Sequence, residues 1–116
     1  MKMLFTERNV REMALRRNDR ASQYAVFDRT GSDTVRGPDL VAIVDVLRNG
    51  RMTVRDVGSR SPDVRVPCVT EVTNYVVASV LGVSPYGLVV QPIIWERLRW
   101  FYETETGAAF RQVRPA

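Results

Sequence analysis

From Gln23 to Arg29 apolar and polar side chains alternate as in a strand, with Tyr24 and Val26 on one face and Ala25 and Phe27 on the other. Upstream, Lys2 to Phe5 reads as a short edge strand. Thr6 then caps a helix from Glu7 through Asn18, whose apolar side holds little beyond Val10, Met13 and Ala14, next to Arg17. So thin a face predicts a peripheral helix. Thr30 to Asp39, with Gly31, Ser32, Asp33, Gly37 and Pro38, is a loop by composition and the segment best suited to face a partner. Asp39 to Leu47 fits either a short helix behind an aspartate cap or a buried strand. Asn49-Gly50 decides between them, because both residues tolerate positive φ and β-branched runs flank them. A hairpin follows, with strands from about Leu40 to Arg48 and Arg51 to Gly58.

Ser59 to Pro67 reads as a loop, and a second helix is expected from about Val69 to Leu81, with Val72, Tyr75 or Val76, Ser79 and Val80 inward and Gly82 closing it. Pro85 to Gln91 is a short buried strand. Pro92 to Thr106 is a third helix, carrying Ile94, Leu98 and Phe101 at i, i+4 and i+7, with Trp95 and Tyr102 widening the stripe. Pro92 suits a first helical position, and Gly107 a left-handed stop. Ala108 to Val113 reads as a closing strand. The order of elements predicts an α/β (α+β) fold in which a mostly antiparallel central sheet is flanked by about three helices.

Composition narrows the chemistry. The 116 residues, 45% of them hydrophobic, suit one domain that buries about two-thirds of its unfolded surface. Histidine is absent and Cys68 is the one cysteine, which excludes zinc clusters, His-based triads and an internal disulfide. A metal-free protein with a structural Cys68 is expected. Net charge is +4, and of 17 basic residues only Lys2 is a lysine. A GC-rich coding sequence explains that bias better than selection for phosphate binding does, and the arginines are dispersed among Asp and Glu. Polarity begins at Thr6, too soon for a signal peptide, and Val76 to Val90 is interrupted by Gly82, Ser84, Pro85 and Gly87, so neither export nor a membrane span is expected. A cytoplasmic location is expected.

A strand, then Phe101-Tyr102-Glu103, Gly107 and Phe110, resembles the C-terminal A-x-x-x-Y-x-x-x-G-F signature of the GNAT acyltransferase superfamily. The order of elements resembles the GNAT core over nearly the whole chain, and small phage-encoded GNAT-like proteins are similar in their glycine-alanine-aromatic turn. The resemblance implies acetyl-CoA as cofactor and an amine as acceptor, attacking the thioester while a backbone donor steadies the oxyanion. It implies a nucleotide lying between the strand that ends near Gly58 and the strand at Tyr86 to Gln91. Tyr102 stands at the position of the family's acid, Asp56 and Glu71 are candidate bases, and Val57, Arg60, Arg65 and Thr70 fall where coenzyme A is held. The chain departs from the family at Arg65-Val66-Pro67-Cys68-Val69-Thr70, which has no glycine and in which Pro67 removes an N–H. Each candidate also has an ordinary structural reading. Tyr102 lies on an apolar stripe, Asp56 on the solvent side of a strand, and Glu71 in a first helical turn.

Three functions are compatible with these residues. One is a small N-acyltransferase; another is a GNAT-like protein without activity that binds a protein partner, in the cell or in a virion. The third is a basic nucleic-acid module, supported by charge alone.

Overall fold

The Asn49-Gly50 turn organises the sheet. Gly50 takes φ +81°, the Arg51 N–H donates to Asn49 Oδ1 at 3.0 Å, and the flanking segments pair antiparallel as β3 (Asp39–Leu47) and β4 (Arg51–Asp56). The computed structural model describes residues 3–14, 19–30, 37–58, 63–67 and 71–107. Within them lie β1 (Met3–Leu4), α1 (Glu7–Met13), β2 (Arg20–Asp28), β5 (Val64–Pro67), α2 (Asn74–Leu81), β6 (Leu88–Pro92) and α3 (Trp95–Thr106). The expected closing strand from Ala108 to Val113, the end of the first helix and most of the loop after Thr30 lie outside the described residues.

The sheet runs β5-β4-β3-β2-β6, with β1 added to β3, and every described pairing is antiparallel. The α+β class expected from the order of elements therefore holds, with three helices on a mostly antiparallel sheet. One row crosses four strands: Val90 of β6, Val26 of β2, Ala42 of β3 and Asp56 of β4. At the next step Phe27 pairs with Leu40, so Val41 is an extra residue in β3. That bulge reverses the alternation. Leu40 joins Ile43 on the face that packs with α1 and α3, while Val41 turns to the face that packs with α2.

Phe5, Val10, Phe27, Leu98 and Phe101 build the core under α1 and α3; Val26, Val44, Met52, Val54 and Val77 build the one under α2. Burial of these side chains supplies the main driving force for the fold. α1 is seated thinly, as its apolar side suggests: Val10 is 0% exposed and Met13 packs against the same core, while Arg8, Arg11 and Glu12 stay exposed.

Several boundaries differ from those read in the sequence. Val64–Pro67 is a strand rather than part of a loop, because β4 offers it an open edge. The second helix begins at Asn74, not near Val69, since the Thr73 hydroxyl accepts the Val76 N–H at 3.2 Å and caps it there. Its buried residues are Val77 and Ala78, whereas Tyr75 and Ser79 are exposed. Pro92 ends β6 opposite Tyr24 instead of opening a helix, on the outermost of the described strands on that side, where a missing N–H is tolerated. The third helix starts at Trp95, and Ile94, its N-cap, is 49% exposed rather than buried. Leu98 and Phe101 are buried as the stripe predicts, and Gly82 and Gly107 close their helices in the left-handed region at φ 70° and 68°.

Candidate functional site

β2 and β4 are both antiparallel to β3, so they run in the same direction and end at the same rim of the sheet. Each ends in the same chemical device. Asp28 Oδ1 accepts the Thr30 N–H at 2.9 Å and the Thr30 hydroxyl at 2.6 Å; Asp56 Oδ1 accepts the Gly58 N–H at 2.9 Å. These turns fix both carboxylates against the backbone at little entropic cost. By strand parity both sit on the α2 face, Asp28 two residues from Val26 and Asp56 two from Val54. They flank Val41, the bulged residue of β3.

Over this rim lies a cleft of about 470 Å³. Its floor is Val41 and Leu88, and Asp28 and Asp56 stand at its sides. Leu81 and Val83, at the end of α2, together with Ser84 and Tyr86 in the turn that follows, make the far wall. Tyr86 is 83% exposed at the lip. The turn is held in place by Asn74, whose side-chain N–H donates to Pro85 O at 3.4 Å, and by the Arg29 N–H, which donates to Gly87 O at 3.0 Å.

Among the described residues lining the cleft none is basic, and two are carboxylates. The wall formed by α2 is the helix's C-terminal end, where carbonyl groups without intrahelical partners carry the negative end of the dipole, and its last turn has no basic side chain. An apolar floor with negative sides suits a positively charged group attached to an apolar body. Among the described residues, no group of three or more His, Cys, Asp and Glu side chains is placed to hold a metal ion. No described helix is long and apolar enough to cross a membrane.

The residues singled out in the sequence are divided by this geometry. Asp56 and Val57 line the cleft. Tyr102 does not: it is half-buried on α3, its ring edge-on to Phe5 at 5.3 Å and 77°, in the core on the opposite face of the sheet. Glu71 is exposed and precedes the Thr73 cap, so it is not in the first turn of α2. Arg65 lies exposed on β5, opposite Thr53. Arg60 and Thr70 lie outside the described residues. The implied opening between the strand ending at Gly58 and the strand around Tyr86 is also of another kind: β3 and β2 separate β4 from β6, so the hollow between Gly58 and Tyr86 lies across the sheet's rim, not between two neighbouring strands.

Asp28, Tyr86 and the α2 terminus were not singled out in the sequence. A signal for Asp28 exists there, since Asp28-Arg29-Thr30 and Asp56-Val57-Gly58 are both aspartates followed two residues later by a turn-compatible residue at a strand end. No known protein family, curated protein or solved structure matches the chain.

Proposed function

We propose that the protein is an interaction protein whose cleft holds an amine-bearing group, a cation on an apolar stem. The observation that carries this reading is the pairing of Asp56 and Asp28 across the apolar Val41 and Leu88 floor, closed by the negative end of α2. A cation gains charge-assisted hydrogen bonds there, and its stem gains apolar contact. Acyl transfer from acetyl-CoA to the same amine is the second reading. It is favoured by Asp56, the candidate base, lining a cleft that opens between Gly58 and Tyr86.

A thermal melt with n-butylamine, its neutral analogue n-butanol and acetyl-CoA tests both, because a ligand that binds the native state alone raises the melting temperature by mass action. Butylamine is expected to raise it in the wild type and not in Asp56→Asn, with butanol ineffective. Equal shifts from butylamine and butanol, or none from either, overturn the amine reading. A rise with acetyl-CoA, accompanied by N-butylacetamide as product, replaces the interaction reading by the enzymatic one.

A further inference from the structure

The surface of α2 carries no charge. No Asp, Glu, Lys or Arg occurs from Val72 to Trp95, although 26% of the chain is charged. Within that run α2 turns Val77 and Ala78 into the core and leaves Tyr75 and Ser79, one helical turn apart on the same side, exposed. Tyr75 is 71% exposed, a large ring standing in solvent. Beside it lies a shallow groove of about 400 Å³, walled by Val76 and Val80 of α2 and by Val66 and Pro67 of β5, with the buried Met52 beneath. Val64, two residues from Val66 and on the same side of its strand, is 46% exposed, while alternation sends Arg65 to the other face. β5 is the outermost of the described strands on this side. Helix and strand together thus present an uncharged, largely apolar patch at the border of the molecule, holding both a projecting ring and a hollow.

We infer that this patch joins two copies of the chain in a twofold dimer, the Tyr75 ring of each copy seated in the groove of the other. Two features favour a second copy over a different occupant. The ring and the groove lie side by side on one surface, and a twofold contact requires that each patch offer both what inserts and what receives. Charge supplies the second. The chain carries a net +4, so two copies repel each other in general, and the α2 and β5 patch lets them meet without charged side chains face to face. A partner selected by its charge finds nothing there to read. The make-up of the patch, a tyrosine among aliphatic side chains with charge left out, is that of an interface core. Ser79 at the groove margin offers a hydrogen-bonding partner to the phenol of the seated ring. The inference stands apart from the amine reading, since no described residue lines both this groove and the cleft.

Sedimentation equilibrium on the full chain, from about 1 μM to about 1 mM, tests it. The average mass is expected to rise from one chain to two with a dissociation constant of roughly 10–100 μM, as suits a small interface. Tyr75→Ala, which removes the inserted ring, and Ser79→Arg, which brings two cations to the contact, are each expected to weaken association at least about tenfold. Both positions are exposed, so neither change opens the core, and the melting temperature of the dilute monomer checks that each variant folds. Trp100→Ala removes an exposed aromatic ring on α3, and Asp56→Asn alters the cleft; both are expected to leave association unchanged. Raising salt from about 0.05 to 0.5 M should hold or strengthen the dimer, because it screens the net repulsion and no ion pair is lost. A wild type that stays monomeric at 1 mM overturns the inference. So does a dimer that Tyr75→Ala and Ser79→Arg leave intact, one that Trp100→Ala dissociates, or one that salt weakens. None of these results alters the butylamine melts, so failure here is distinct from failure of the cleft.

Discussion

Gly87 and Thr30 approach so closely that a β-carbon on the glycine would stand 2.3 Å from Thr30 Cγ2. Thr30 has little room to yield, because its hydroxyl and N–H are both held by Asp28 Oδ1. Gly87 also sits at φ +83°, in the left-handed region. This contact joins the end of β2 to the turn that carries Tyr86, so the cleft's lip and its Asp28 side are set together. We expect Gly87→Ala to lower unfolding stability by about 1–3 kcal/mol, combining backbone strain with the clash. Thr30→Ser, which removes Cγ2 and keeps the hydroxyl, should recover part of that loss in the double variant. Urea melts of the four proteins measure the coupling, and strict additivity would show that the two residues do not press on each other.

Gly50 provides the contrast. It has a similar φ of +81°, but nothing lies within 4 Å of where its β-carbon would stand. Gly50→Ala should therefore cost only the strain of a left-handed alanine, about 1 kcal/mol, and less than Gly87→Ala. The same urea melts decide it.

Leu98 and Ile94 separate the buried stripe of α3 from its exposed start. Leu98 is fully buried, and truncation to alanine should cost about 2–5 kcal/mol. Ile94→Ala removes a half-exposed side chain at an N-cap that makes no side-chain capping bond, and is expected to cost under about 1 kcal/mol. Comparable losses at the two positions would mean that α3 packs through a different face.

Tyr102 and the amine cleft lie on opposite faces of the sheet. Tyr102→Phe should leave the butylamine-induced rise in melting temperature unchanged. Because the ring lies on the far face, the same substitution should also leave any acetyl transfer at the cleft unchanged, whereas loss of a general acid would slow it by roughly 10²–10⁴-fold. A rate assay on this variant therefore reports on the tyrosine independently of binding.

Amine binding should also weaken as salt is raised from about 0.05 to 0.5 M, because Asp56 is exposed and the Debye length over which its attraction for a cation is screened falls from roughly 14 Å to roughly 4 Å. Calorimetric titrations with butylamine at the two salt concentrations check this. A salt-independent affinity would place the apolar floor, not the carboxylates, at the centre of recognition.

The chain's local chemistry determined by itself those features that a few consecutive residues decide. Asn49-Gly50 makes the hairpin, Thr6 caps α1 by accepting the Asn9 N–H at 3.0 Å, and Gly82 and Gly107 stop their helices, because positive φ and capping bonds depend on near neighbours alone. The alternation of β2 and the Leu98 and Phe101 spacing were legible for the same reason, since each follows from the period of its own element. Only the tertiary structure decided the rest. Val64–Pro67 is a strand because β4 lends it an edge, and Pro92 is tolerated in β6 because that strand is outermost among the described ones on its side. Whether Tyr75 or Val77 faces inward depended on where Thr73 starts the helix relative to the sheet below it. The candidate site belongs wholly to this second group. Asp28 and Asp56 are far apart in sequence and meet at one rim because β3 passes between their strands, and the Val41 bulge turns an apolar side chain up between them. No local period encodes that meeting: it arises from the order in which strands pair, which long-range burial selects.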